Sequence, residues 1–236
     1  MTQSGMHRFF FLLGKPASGK GTQIRRILDT FKGSSFSTGD ALKYHIARRT
    51  ELGQQVKAFI DAGKLVSDDI VMALFRDSAE HLGDTTIGES TLFLVDGFPR
   101  TVGQYEMVKR YLVEKKIPHS FLYFSVADDH ILRRFTGRLT CNTCFTPFST
   151  IGGTVAENDA CPQCKKGKLI RRSDDNETVV RNRLAEYRAA TAPMVEHITA
   201  HEKGNFTEIE SSRSEDEIFN DVRMLLTNAK ISLKKR

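Results

Sequence analysis

The sequence predicts an α/β protein: a parallel five-stranded sheet covered by helices, with a small cysteine-bearing segment inserted near the middle of the chain. Three observations predict it. Short apolar runs alternate with longer stretches of helical periodicity, the pattern of a parallel sheet buried on both faces. A glycine-rich, lysine-bearing loop joins the first apolar run to the first helical stretch. Between residues 137 and 175 the alternation stops, and all four cysteines of the chain fall inside that interval.

Taken in order, Phe9–Leu13 is the first strand, a run of five consecutive apolar residues. It follows Arg8 but is shorter than the roughly 7–15 apolar residues of a secretory signal, and a Lys-bearing loop comes next, so the chain reads as intracellular. Helical periodicity then covers Thr22–Phe31, and a short strand sits near Ser35–Ser37. Helices follow over Gly39–Arg49, Leu52–Ala62 and Asp68–His81. Leu92–Val95 and Phe121–Val126 are the next strands, separated by a helix over Val102–Glu114. A helix over Asp128–Phe135 leads into the cysteine segment. One long helix over Glu177–Glu202, a strand at Phe206–Ile209 and a last helix over Glu215–Asn228 complete the chain. No repeat at a period of 20–50 residues is present.

The 236 residues suffice for one large domain or one domain with insertions. A hydrophobic fraction of 39% is that of an ordinary globular chain and excludes disorder or low complexity as the main description. No apolar run approaches the roughly 18–20 residues that cross a bilayer. With 35 basic and 29 acidic side chains the net charge is +6, and the pI is about 9.2. That excess suits nucleic acid, an acidic membrane surface or phosphorylated small molecules, and does not choose among them.

Cys141, Cys144, Cys161 and Cys164 form two C-x2-C pairs with sixteen residues between them, the spacing of a structural zinc site. Four thiolates complete a tetrahedral shell and leave no position for water, so such a zinc braces structure. The alternatives are two disulfides, four free thiols or a redox pair. Disulfides are disfavoured in an intracellular chain, and a redox site needs only one pair.

After the first strand, Gly14-Lys15-Pro16-Ala17-Ser18-Gly19-Lys20-Gly21-Thr22 opens into a helix. Strand, glycine-rich turn and helix N-terminus together make a phosphate cradle, with Lys20 reaching the β- and γ-phosphates. Gly21 follows the lysine where the general motif has Ser or Thr, and the hydroxyl comes one residue later at Thr22. The strand Leu92–Val95 ends in Asp96, which is placed to hold Mg²⁺ through its water shell at the carboxyl edge of the sheet.

Gly19-Lys20-Gly21-Thr22 together with Asp96-Gly97-Phe98-Pro99-Arg100-Thr101 resembles the adenylate kinase family in its long-lid form, and the likeness runs from about Phe9 to Leu226. Ser37-Thr38-Gly39-Asp40, Gly63-Lys64-Leu65-Val66, Gly137-Arg138, Arg172-Ser173-Asp174-Asp175 and Arg181-Asn182-Arg183-Leu184 add to it, as does the stretch from Tyr187 to Thr191-Ala192-Pro193. The cysteine spacing matches the zinc-bearing members. The resemblance implies a P-loop kinase core (1–36, 67–136 and 176–236), a helical monophosphate-binding flap (37–66) and a zinc-braced lid (137–175). It implies Mg-dependent, reversible transfer of the terminal phosphoryl group of ATP to AMP, giving two ADP, in a cytoplasmic monomer.

By position, Ala17, Ser18, Gly19, Lys20, Gly21 and Thr22 would bind ATP phosphates, with Arg134, Arg138, Phe148 and the backbone near Arg213 completing the ATP site. Thr38, Lys43, Lys64, Leu65, Val66, Gly97, Phe98, Pro99, Arg100 and Gln104 would form the AMP site, and Arg172 and Arg183 would reach both the transferring group and AMP. Near pH 7 the AMP phosphate is largely a dianion, so no general base is needed. What the reaction asks for is placed positive charge, in-line geometry and exclusion of water. Lys20, Arg100, Arg134, Arg138, Arg172 and Arg183 are the six candidate cations, and Asp174 and Asp175 are candidates to hold lid arginines.

The sequence departs from the family pattern at four places. Ala17 stands where a glycine is usual, which is acceptable only if that residue needs no positive φ. Lys43 replaces an arginine, exchanging a bidentate fork for a point charge. Leu139 follows Arg138 where a second arginine is common, and Ser211 stands where a glycine is usual. Two other classes lack their characteristic residues here. A nucleic-acid-binding zinc ribbon on an ATPase core lacks a platform of alternating aromatics, and a GTPase lacks an Asn-Lys-x-Asp tetrad. Among kinases, preference for UMP or CMP, or for another triphosphate donor, is the alternative.

Overall fold

The computed structural model describes residues 6–61, 64–82, 90–151, 153–171 and 177–234. Five strands form the main sheet: β1 (Met6–Gly14), β2 (Gly33–Ser37), β3 (Ser90–Asp96), β4 (His119–Ser125) and β8 (Phe206–Glu210). Their order is β2-β3-β1-β4-β8, every neighbouring pair parallel. The expected α/β class and all five expected strands are present. β1 and β3 each extend a few residues beyond their apolar runs, because central strands recruit polar flanks once both edges are paired.

β1 explains why the sheet is buried on both sides. Phe9, Phe11 and Leu13 point to one face and Phe10 and Leu12 to the other, and all five are at most 3% exposed. On the first face they meet α4 (Asp68–Glu80), α5 (Val102–Glu114) and α8 (Ala192–His201) through Met72, Phe75, Val108, Met194 and Ile198. Phe75 is the centre of this layer, with its ring 5.0–6.4 Å from those of Phe9, Phe11, Phe36, Phe93, Phe98 and Tyr111. On the second face, Ile27 of α1 (Lys20–Thr30) and Ile218, Val222 and Leu226 of α9 (Glu215–Asn228) complete the other core. Between β2 and α4, α2 (Thr38–Ala47) and α3 (Glu51–Asp61) form a helical pair that sends Leu42 and Val56 into the first layer.

After α6 (Asp128–Thr136) the chain builds a separate antiparallel sheet of three short strands, β5 (Arg138–Cys141), β6 (Pro147–Ser149) and β7 (Leu169–Ile170), with β5 in the middle. Its core is small: Leu139, Cys141, Cys161 and Leu169 are 0% exposed. Leu139, one of the departures from the family pattern, is spent on this core.

The region expected as one helix over Glu177–Glu202 is interrupted. It comprises α7 (Glu177–Glu186), a π turn over Tyr187–Thr191, and then α8. Pro193 sits in the first turn of α8 and has no N–H for the carbonyl four residues earlier. The helix accommodates this by widening, and the Ala192 N–H donates to the Tyr187 carbonyl five residues back.

Candidate active site

The phosphate loop hangs between the end of β1 and the start of α1. Gly14 is required there: a Cβ on it would lie 2.7 Å from the Phe124 carbonyl oxygen on β4. Gly19 caps α1 in the left-handed region at φ 97°, and its carbonyl accepts from the Thr22 and Gln23 N–H groups. Ala17 is also left-handed, at φ 58°. The condition set for an alanine here, that the residue need no positive φ, is therefore not met. Its methyl packs against the cluster of Val126, Ile131, Phe135, Val180 and Leu184. Left-handed strain on an alanine costs roughly 1–2 kcal/mol, and burying a methyl returns about 0.8 kcal/mol. Ala17→Gly is therefore expected to leave the unfolding free energy within about 1 kcal/mol of the parent, as read by urea or thermal melts.

Lys20 lies within this loop. Its Nζ donates to the Gly14 carbonyl (2.9 Å), the Lys15 carbonyl (2.8 Å) and the Ser18 Oγ (3.1 Å). Burial pushes its pKa down to about 8; Asp96 opposes the shift, while Arg100 and Arg138 add to it. A lowered pKa means that Lys20 sheds its proton as pH rises through that value, and with it the charge that attracts phosphate. kcat/KM for ATP is accordingly expected to fall on an alkaline limb with a pKa of about 8 in a pH–rate profile. A profile flat through alkaline pH would contradict this.

Across from the loop, β3 delivers Asp96. Leu12 pairs with Asp96 in the β1–β3 ladder, which puts the carboxylate beside the start of the loop. The next residues turn into α5. Arg100 donates from Nε to the Gly97 carbonyl (2.9 Å), to which Thr38 Oγ1 also donates (3.1 Å). Gln104 is buried with both ends of its amide engaged: Oε1 accepts from the Arg100 N–H (2.7 Å) and Nε2 donates to Asp68 (2.8 Å). Thr101 caps α5 and donates to the same Asp68 carboxylate (3.0 Å). Desolvation in the cleft lowers the Arg100 pKa; Asp96 opposes this and Arg183 adds to it.

On the far side, Arg134 in the last turn of α6 donates to the Ser211 carbonyl (2.5 Å) and the Ala17 carbonyl (3.4 Å). Ser211 is fully buried, and its hydroxyl folds back to donate to the Ser125 carbonyl (2.8 Å), so the side chain that replaces a glycine is directed into the sheet edge. The Arg213 side chain is paired with Asp221 (2.5 Å) and Glu210 (3.3 Å).

One cleft of about 1800 Å³ runs between these walls. It is bordered by Ala17 through Thr22, Thr38, Lys43, Lys64, Leu65, Val66, Asp96, Gly97, Pro99, Arg100, Gln104, Arg134, Arg138, Phe148, Arg183 and Arg213. Phe98 is not among the bordering residues: it is fully buried, with its ring on Phe75, and can offer a ligand only its backbone. Phe148 faces Leu139 in the β5–β6 register and leans on the core of the small sheet. Arg172, Asp174, Asp175, Ala62 and Gly63 lie outside the described residues.

The four cysteines converge. Their Sγ atoms all lie within 4.8 Å of one another, with Cys141–Cys164 at 3.6 Å and Cys144–Cys161 at 3.7 Å. A tetrahedral ion with sulfur ligands at about 2.3 Å requires S···S separations of about 3.8 Å, so the donor set fits zinc. The two halves use the same turn. The residue after each second cysteine, Phe145 or Lys165, is left-handed at φ 57° and donates its N–H to the first cysteine's carbonyl at 3.0 Å. The Cys144 and Cys164 N–H groups point at the Cys141 and Cys161 sulfurs (3.4 and 3.5 Å).

The adenylate kinase family model matches residues 12–203. The chain belongs to the adenylate kinase family. It is similar to the adenylate kinase of Thermodesulfovibrio yellowstonii, 35% identical over 91% of this chain and 96% of the relative. It is also similar to those of Nitrosococcus oceani (37%, covering 81% and 87%) and Novosphingobium aromaticivorans (39%, covering 78% and 83%). As a member of this family the protein is a phosphotransferase that moves the terminal phosphoryl group of ATP to AMP, giving two ADP. No helix among the described residues is long and apolar enough to cross a membrane.

Sequence reasoning missed Asp68, which orients Gln104 and Thr101 from the start of α4, and the ion pair of Lys15 with Asp128. Neither carried a local signal. Asp68 reads as an ordinary acidic residue in a first helical turn, and the partners of Lys15 are more than a hundred residues away.

Proposed function

We propose that the protein performs this transfer in this cleft, with Lys20 and the loop Ala17–Thr22 on the donor phosphates and Arg134, Arg138, Phe148 and the backbone at Arg213 around the rest of ATP. The observation that carries the reading is electrostatic. Lys20, Arg100, Arg138 and Asp96 border one cleft; burial does most to lower the Lys20 pKa, Arg100 and Arg138 lie close enough to lower it further, and Asp96 close enough to oppose them. Cations from separate chain segments thus face one point, where phosphoryl charge is stabilised.

AMP would lie against Thr38, Lys43, Lys64–Val66, Gly97–Arg100 and Gln104. An oxygen of its phosphate attacks the γ-phosphorus of ATP, the bond to the β–γ bridging oxygen breaks, and ADP leaves. The chain's part is to orient the two phosphates in line, to neutralise them and to keep water out. Arg172 and Arg183 would follow the group in transit. Asp96 and Thr22 supply oxygen donors suited to Mg²⁺ carried with ATP, which neutralises charge on the β- and γ-phosphates when bound. Residues 37–66 would act as the flap over AMP and 137–175 as the lid over ATP, braced by zinc on Cys141, Cys144, Cys161 and Cys164. The metal is structural, since four thiolates fill its shell.

The test is nucleotide analysis by chromatography after mixing the protein with ATP, Mg²⁺ and each monophosphate in turn. AMP is expected to be consumed fastest, with two ADP formed per AMP. Faster turnover of UMP or CMP would overturn the base assignment, and phosphate release without any transfer would overturn the reaction.

A further inference from the structure

Lys15 has no role in the transfer as described, yet it is held at both ends. Its carbonyl accepts from the Lys20 ammonium (2.8 Å). Its own ammonium donates to the Val126 carbonyl (2.8 Å) and pairs with Asp128 Oδ1 (2.7 Å). The other oxygen of Asp128 accepts from Arg188 Nη2. Asp128 is the first residue of α6, whose last turn carries Arg134, and Arg188 lies in the π turn, one helical turn past Arg183. One carboxylate therefore ties together three segments that each deliver a cation to the cleft.

A second, apolar contact joins the same three segments. Ala17 of the loop packs on Val126, on Ile131 and Phe135 of α6, and on Val180 and Leu184 of α7. The Lys15 side chain is 21% exposed and that of Asp128 37%, whereas Arg188 is 63% exposed, so the Lys15 arm carries more of the coupling.

We propose that Asp128 is a positioning residue for the donor site: through Lys15 and Arg188 it fixes the phosphate loop and the root of α6 against the turn after Arg183, so that Lys20 and Arg134 meet the ATP phosphates as a set. The inference rests on the reading of the loop as the ATP-phosphate site.

It is tested with Asp128→Asn, Lys15→Met, their double variant, Lys15→Arg and Arg188→Gln, by equilibrium binding of Mg·ATP and, separately, by steady-state kinetics. Asp128→Asn and Lys15→Met are each expected to weaken Mg·ATP binding and raise KM for ATP roughly three- to tenfold, with the double variant no worse than either single one. KM for AMP stays within about twofold, Arg188→Gln has a smaller effect, and Lys15→Arg restores most of the affinity. A drop in melting temperature with unchanged Mg·ATP affinity, a parallel rise of both KM values, or additive single effects would each overturn the proposal. If the parent binds Mg·ATP but transfers nothing to AMP, the functional reading fails, while the binding series still decides the role of Asp128.

Discussion

Lys20→Ala is expected to fold like the parent and to lose about a thousandfold in kcat, or about 4 kcal/mol of transition-state stabilisation. Lys20 is not a core residue; its ammonium is held by two carbonyls and a hydroxyl of its own loop. Those acceptors lie at the edge of the cleft, where solvent can take over their hydrogen bonds. The charge cannot be replaced in that way. Arg100 and Arg138 lie near enough to share the same phosphates, but they approach from β3 and β5, and neither occupies the turn between the sheet and α1. The prediction is checked by pre-steady-state and steady-state kinetics beside circular dichroism. A variant with raised KM for ATP and unchanged kcat would mean that Lys20 only binds the ground state, and its assignment to the transferring group would be wrong.

Stripping the proposed zinc is expected to unfold the small antiparallel sheet while the five-stranded sheet persists, and to abolish transfer. The four fully buried residues of that sheet include two of the cysteines themselves, so little apolar surface remains to hold it without an ion. Structural zinc in small modules contributes about 10–16 kcal/mol of apparent binding free energy near neutral pH, far more than Leu139 and Leu169 can supply by burial. With β5 unfolded, Arg138 loses its fixed place at the start of that strand. Chelation followed by hydrogen exchange should expose the amides of 138–171 and spare those of β1, β3 and β4. One zinc per chain by elemental analysis is the companion expectation; full protection of 138–171 after chelation would refute the metal brace.

What the sequence revealed was local. The glycine-rich loop, the two cysteine pairs and the apolar strands are each specified by residues within a few positions of one another, and all three appear where their patterns placed them. The π turn was not read, although Pro193 was visible, because a missing donor can be accommodated by a kink, a break or a widened turn, and packing chooses among them. The left-handed backbone of Ala17 was missed because its compensation comes from α6 and α7, distant in sequence. The Ser211 hydroxyl, the inward ring of Phe98 and the link of Lys15 to Asp128 are likewise settled by contacts between segments far apart along the chain. Long-range pairing of polar groups leaves no periodic trace.

The ladder that sets Leu12 opposite Asp96 has a thermal consequence. The carboxylate and the root of the loop sit on adjacent strands at the middle of the sheet, each flanked by hydrogen-bonded neighbours, so warming cannot change their spacing without melting the whole framework. The arginines delivered from outside that framework, Arg138 above all, ride on a piece that can loosen first. On slow heating, then, catalysis should fade in two stages: an early, reversible decline as the mobile cations wander, and a later, abrupt loss when the strands part.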